Sequence, residues 1–161
     1  ELPFRWMTGT QSHEGMAGTK AAIEHIAWIG REYSGNPELS RRDAIIEAYD
    51  AIEQYERGLF LRMLEGLEGI EGLKIWGITE PNRISERAPT VSFTHPSLSA
   101  KEIGRRLAER GVFVWAGNFY ALELTEALGL EPEGVLRAGL LHYNSLEEVD
   151  FFVESVAEIL G

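Results

Sequence analysis

The amino-acid sequence predicts an α+β fold in which helices lie over a small sheet, and three observations predict it. Apolar residues recur every three to four positions in two long stretches near the N-terminus and again at the C-terminus, as on the buried faces of helices. From Leu73 onward the period shortens to two, in brief runs of β-branched and aromatic residues typical of half-buried strands. Three Ser-x-x-Asp/Glu segments stand ahead of apolar stripes, and each marks a helix start.

Residues 11–33 carry Met16, Ala17, Ala21, Ile23, Ile26, Ala27 and Ile29 at helical spacing and then meet the breaker Ser34-Gly35-Asn36-Pro37. One helix therefore ends near Tyr33. A second starts at Ser40, where Ser40-Arg41-Arg42-Asp43 lets the hydroxyl take an amide three residues on while the carboxylate reaches back. Its stripe of Ile45, Ala48, Tyr49, Ile52, Tyr55, Leu59, Phe60, Met63 and Leu67 lasts about six turns, a length that suits a helix bridging two bodies. Leu73-Lys74-Ile75-Trp76-Gly77 and Thr90-Val91-Ser92-Phe93-Thr94 read as strands, separated by a polar loop from Glu80 to Arg87 with Pro81 and Pro89 as punctuation. Ser99-Ala100-Lys101-Glu102 opens a short helix to Arg110, and Gly111 suits the position just past its end. Val112-Phe113-Val114-Trp115 reads as a strand, residues 116–120 as irregular, residues 122–128 as a short helix and residues 135–143 as a strand. Ser145-Leu146-Glu147-Glu148 then begins a closing helix, whose stripe is Leu146, Val149, Phe152, Val153, Val156 and Ile159. From Leu73 the order is β-β-α-β-(α)-β-α, an α+β layer.

A chain of 161 residues has room for one domain, or one and part of another, and can bury a core without staples. The absence of cysteine excludes disulfides, thiolate zinc sites, iron–sulfur clusters and a cysteine nucleophile within it. The net charge of -11, with 15 Lys plus Arg against 26 Asp plus Glu, argues against a nucleic-acid partner, because phosphate binding needs cations. No apolar run approaches the ~18 residues of a membrane span, and no basic-then-apolar leader is seen, so no membrane partner and a cytoplasmic location are expected. The sequence opens on Glu1-Leu2-Pro3-Phe4 without a Met, which reads as a cut inside a longer protein.

Among residues that could carry chemistry, His13, His25, His95 and His142 show no H-x-x-x-H spacing, so no metal site is expected. His25 reads as a surface or boundary residue of its helix. The carboxylates mostly fall on helix faces beside arginine, as at Arg41, Arg42, Glu47 and Asp50, and these are solvated faces. Gly9, Gly15 and Gly18 lack the G-x-x-x-x-G-K pattern of a phosphate loop. Arg137 is different in kind. It stands inside Val135-Leu136-Arg137-Ala138-Gly139-Leu140-Leu141, where alternation places Leu136, Ala138 and Leu140 on one face and Val135, Arg137, Gly139 and Leu141 on the other. A guanidinium in such a strand either pairs with an internal carboxylate or receives a ligand anion. Its flat fork matches a carboxylate through two parallel charge-assisted bonds, and spacing alone leaves both readings open.

Gly9-Thr10-Gln11-Ser12-His13-Glu14-Gly15 ahead of an Ala-rich helix, and Val135-Leu136-Arg137-Ala138-Gly139-Leu140-Leu141-His142-Tyr143-Asn144-Ser145 followed by Glu147-Glu148-Val149-Asp150, resemble the class V aminotransferase superfamily. Within it the sequence is most similar to the cysteine desulfurase-like proteins, on the stretch Gly111-Val112-Phe113-Val114-Trp115-Ala116-Gly117-Asn118-Phe119-Tyr120. The resemblance runs from about Phe4 to the end, and residues 34–89 contribute order and length but no motif.

The resemblance implies the C-terminal part of a fold-type I pyridoxal phosphate enzyme. Residues 1–36 are then a remnant of the large cofactor-binding domain, residues 37–72 a long bridging helix, and residues 73–161 the small α+β domain with a mainly antiparallel sheet. The implied cofactor of the whole protein is pyridoxal 5′-phosphate, held by a lysine upstream of Glu1. Lys20, Lys74 and Lys101 do not match that lysine's context, so no catalytic residue is assigned to this chain. Thr10, preceded by Gly9, matches the position whose hydroxyl and amide reach the cofactor phosphate of the neighbouring subunit in a homodimer. Free amides and the helix dipole suit an anion there, and an N-cap is the plain structural reading of the same residue. Arg137 matches the arginine that clamps the α-carboxylate of a small amino-acid substrate, and Asn118 and Tyr120 line the same mouth with Trp115 and Phe119. Where the desulfurases place a nucleophilic cysteine this sequence has Tyr120, and with no cysteine anywhere a persulfide has no acceptor in this part. Tyr120 is then a hydrogen-bonding or proton-exchanging group for a substrate, or an aromatic packing residue, with packing the favoured role.

Two functions are therefore in play. In one, the chain belongs to a pyridoxal phosphate transferase or lyase and is inactive alone. In the other it is a non-catalytic ligand-binding or oligomerisation module, with Arg137 paired to an internal Asp or Glu. The orientation of Arg137, open to a cleft or forked onto a carboxylate, separates them. If residues 1–33 pack on an absent large domain, Phe4, Trp6, Met7 and Met16 lose their cover and the isolated chain self-associates.

Overall fold

The computed structural model describes residue 5 and residues 9–161; Phe4, Trp6 and Met7, expected to lose their cover, lie outside the described residues. The chain divides into two compact units, one up to Glu53 and one from Gln54 to Gly161, and the divide falls inside a helix. Among the described residues no helix is long and apolar enough to cross a membrane.

The first unit holds α1 (His13–Ser34) and the start of α2 (Arg41–Glu68). Ser12 caps α1 by accepting the Gly15 N–H, and Gly35 ends it in the left-handed conformation at φ 65°, where the breaker was expected. Ala27, Ala44 and Ala48 are fully buried, and a Cβ built on Gly30 stands 1.8 Å from the Ala44 carbonyl oxygen. The two helices therefore touch backbone to backbone, which only small residues permit. Ser40 accepts the Asp43 N–H as the capping signature requires, but the Asp43 carboxylate takes the Ser40 hydroxyl.

The second unit is an antiparallel sheet covered on one face by helices. Its strands β1 (Lys74–Trp76), β2 (Thr90–Thr94), β3 (Trp115–Gly117) and β4 (Val135–Gly139) lie in the order β1-β2-β4-β3. The covering helices are the rest of α2, then α3 (Ala100–Glu109) and α5 (Leu146–Leu160), while the short α4 (Leu122–Ala127) adds no residue to that core. The core joins Phe60, Met63 and Leu67 of α2 to Val91 and Phe93 of β2, Ile103 and Leu107 of α3, Leu136 of β4, and Val149, Phe152 and Val156 of α5. Each of these large apolar side chains contributes about 1.5–3 kcal/mol on burial. The alternation read from the sequence is what places Leu136 and Ala138 on the covered side of β4.

Three expected boundaries differ. The loop from Glu80 to Arg87 contains a 3-10 helix, Pro81–Glu86, because Pro81 presets its first turn and Arg83 clamps Glu86 through two bonds of 3.0 and 2.9 Å. The strand expected at residues 112–115 forms at Trp115–Gly117 instead. The Val112 N–H is bonded to the Leu107 carbonyl at the end of α3, and β4 offers partners only to residues 115–117. The strand expected to reach residue 143 stops at Gly139, since Leu141 and Asn144 close a turn in which the Asn144 side chain accepts the Leu141 N–H at 2.9 Å.

The capping boxes of the second unit differ in an instructive way. Ser145 and Glu148 make both reciprocal bonds. At α3, Ser99 accepts the Glu102 N–H, but the Glu102 carboxylate is held by Arg105 and Arg106 at 2.7–2.9 Å rather than reaching back. Those two guanidinium groups lower the Glu102 pKa from 4.5 to about 2. A depressed carboxyl stabilises the folded state above its unfolded value and loses that contribution as pH falls toward the folded one. Carboxyl NMR is therefore expected to find Glu102 still ionised at about pH 3, and Glu102→Gln to flatten the acid limb of stability between pH 4.5 and about 2.

Candidate functional site

β3 and β4 pair at Gly117↔Val135, Ala116↔Leu136 and Trp115↔Arg137 and then part. Residues 111–114 and 138–140 diverge beyond that last pair and enclose an open cavity of about 820 Å³. Met63, Val149 and Phe152 give it apolar walls, while Thr90, Arg137, Asn144 and Glu148 supply polar groups. Divergence of two chain segments, not a loop motif, makes the site.

Arg137 is one of its lining residues. It belongs to a row that crosses all four strands, Trp76↔Ser92↔Arg137↔Trp115, on the sheet face opposite the helices. Trp115 is 70% exposed, and Trp76 is covered by Lys74, whose Nζ stands 3.6 Å from its ring centroid. The Arg137 guanidinium stacks on Phe119, with its central carbon 3.9 Å from the ring centroid. Among the described residues it makes no hydrogen bond and no ion pair, so its fork is free. Among the described residues no carboxylate of the kind the module reading requires pairs with it.

Arg87 provides the contrast. Its guanidinium lies 4.7 Å from the Phe60 ring centroid but donates to the Ile78 and Thr90 carbonyls, and burial pushes its pKa down. It ties the 3-10 helix to the start of β2 and has its donors engaged. Nothing in the sequence pattern had singled it out.

Phe119 and Tyr120 follow β3 with φ of 56° and 62°, two consecutive bulky residues in the left-handed region. Such a conformation costs about 1–3 kcal/mol per residue and persists only where the surroundings impose it. Asn118 supports the turn by accepting the Tyr120 N–H on its side-chain oxygen at 3.2 Å. Asn118 and Tyr120 thus flank the ring that touches Arg137, and neither lines the cavity. Tyr120, for which packing was expected, is 103% exposed and packs on nothing among the described residues, because the left-handed turn directs it outward. The stack of Phe119 on Arg137 escaped the sequence reading, whose only hint was the aromatic run after Gly117.

Behind the cavity, Asn144 fixes the turn after β4. Its carbonyl accepts the Tyr55 hydroxyl at 2.7 Å and its side chain donates to Glu148 at 3.1 Å. That bond, with the Ser145 N–H, holds the Glu148 carboxyl below its ordinary range. Glu56 lies 4.0 Å from His142, and burial raises its pKa while His142 opposes the rise. Gly9 and Thr10 belong to the other unit, exposed just ahead of the Ser12 cap of α1.

Fold and site together define a small α+β domain with an open cleft that Arg137 helps to line, its guanidinium unpaired among the described residues. Comparison with known proteins gives the family. The family model for aminotransferase class-V matches residues 1–152. A probable cysteine desulfurase of Pyrococcus abyssi is 31% identical over 99% of this chain and 34% of its own length, and an aminotransferase-like protein of Gibberella zeae is 32% identical over 88% and 33%. The structure of a cysteine desulfurase from Thermococcus onnurineus superposes with a TM-score of 0.65 at 30% identity, covering 74% of this chain and 28% of that one. An Escherichia coli cysteine desulfurase, 23% identical, shares the fold over 99% of this chain and 34% of its own, with a TM-score of 0.70. The chain belongs to the class-V aminotransferase family. It spans about a third of the length of the curated relatives it matches.

Proposed function

We propose that the protein containing this chain is a cytoplasmic, homodimeric, pyridoxal phosphate-dependent transferase or lyase acting on a small amino acid. In it this chain supplies Arg137 for the substrate α-carboxylate, and Gly9 and Thr10 for the cofactor phosphate across the dimer. The observation that carries this reading is the free fork of Arg137 on the lining of an open cleft.

The residues fit the cofactor in part. An exposed Thr hydroxyl ahead of a capped helix suits a phosphate, and a free guanidinium suits a carboxylate. No lysine lines the cavity, so the amine that would hold the cofactor's aldehyde is not supplied there. When bound, pyridoxal phosphate supplies an electron sink for the pair released when a bond at the amino acid's Cα breaks. Arg137 orients that bond: two parallel N–H···O contacts fix the torsion of the carboxylate about Cα, and so decide which bond stands perpendicular to the cofactor ring. In this reading Asn118 and Tyr120 meet the substrate from the turn after β3, beside the cavity and not on its lining. Persulfide chemistry is not carried over from the desulfurase names, since it needs a thiol and this chain has none. Adding pyridoxal phosphate to the whole protein is expected to give a visible absorbance band that survives dialysis; absence of the band overturns the reading.

A further inference from the structure

We propose that Phe119 is a positioning residue for the carboxylate clamp, its ring fixing the plane in which Arg137 presents its fork. The inference rests on the reading of Arg137 as the substrate-carboxylate arginine and adds what holds that arginine ready. A solvent-facing arginine on a strand samples many rotamers, and each must be frozen out when a ligand is taken. A contact that orders the guanidinium beforehand lowers that loss, provided it leaves the N–H groups unused. An acidic partner would occupy the fork and a carbonyl would occupy one donor, as the Ile78 and Thr90 carbonyls do for Arg87. A ring on the flat face occupies none. At 3.9 Å Phe119 covers that face, and among the described residues no hydrogen bond or ion pair engages the edge.

The backbone supports this assignment. Gly117 at φ 137°, Phe119 at 56° and Tyr120 at 62° turn the chain back as it leaves β3, with Asn118 bracing the turn. The chain thereby returns the ring of Phe119 to the residue that Trp115 faces in the register. A phenylalanine resists a left-handed φ that glycine accepts freely, so the strain is tied to where the ring is delivered.

The test uses the whole protein, with propionate as the carboxylate probe and propionamide as its neutral isostere. The Nε–Hε NMR signal of Arg137, identified by its loss in Arg137→Lys, follows both titrations. Wild type is expected to bind propionate more tightly than propionamide. Phe119→Leu is expected to weaken propionate about two- to fivefold, the range to which an exposed cation–π contact converts, with propionamide unchanged. Phe119→Tyr keeps the ring and is expected to restore propionate affinity. If Phe119→Leu binds propionate as wild type does, the positioning role is overturned while Arg137 keeps its assignment. If wild type itself fails to prefer propionate, the reading of Arg137 falls and this inference with it. Phe119→Met, judged by the same outcomes, replaces Phe119→Leu should circular dichroism show that the latter is unfolded.

Discussion

On the proposed function, Arg137→Ala is expected to lower kcat/KM of the whole protein for an amino-acid substrate about a hundredfold or more. Loss of a charge-assisted pair accounts for about 1.5–3 kcal/mol, or one to two decades. A carboxylate left to rotate adds a loss in kcat, because misplacement by a single ångström costs about a hundredfold where the breaking bond must be aligned. Both KM and kcat should therefore move. Arg137→Lys should recover little, since an ammonium is a point charge that cannot form the fork. Folding stability should change by only about 0.5–1 kcal/mol, the worth of the exposed stack on Phe119, because Arg137 is exposed and without an ion pair among the described residues. Steady-state kinetics beside a urea melt checks both statements, and undiminished activity in the variant would remove Arg137 from the site.

What the sequence made legible was mostly local. The box at Ser145 and Glu148 could be read because both partners lie three residues apart and nothing competes for the carboxylate. The one at Ser99 was only half legible, because Arg105 and Arg106 occupy the i+3 and i+4 positions from Glu102 and capture it. Arg137 stood out because a guanidinium interrupts an apolar run; the structure places it exposed on the uncovered face, so no burial cost is involved. The cavity itself could not be read. It depends on where β3 stops following β4: the bond from Val112 to Leu107 belongs to the local cap of α3 at Gly111, which the sequence did signal, but only the register shows that β4 pairs with residues 115–117 alone. Phe119 was unreadable for a related reason: aromatic residues carry no local signal for a left-handed φ, which here is imposed by the return of the chain.

Gly134→Ala tests how tightly the site depends on that return. Gly134 precedes β4 at φ 66°, and a Cβ there would stand 2.3 Å from the Gly117 carbonyl carbon and 2.4 Å from its oxygen. Those atoms are backbone, so no side chain can swing aside. Forcing alanine into the left-handed region costs about 1–2 kcal/mol and overpacking about 1–3 kcal/mol, so the variant is expected to lose about 2–5 kcal/mol. Gly129 separates the two contributions: its φ is 69°, yet an added Cβ meets nothing within 4 Å. Gly129→Ala should lose only the conformational part, about 1–2 kcal/mol. Urea midpoints at unchanged m-value measure both. Because Gly117 pairs with Val135 and lies two residues before Phe119, relief of the clash in Gly134→Ala should lift β3 from β4 and draw the ring off Arg137. Probe affinity should then fall in Gly134→Ala while Gly129→Ala keeps it. Equal stability losses in the two variants would refute the backbone contact, and unequal losses with equal probe affinity would show that Arg137 is held independently of the β3 turn.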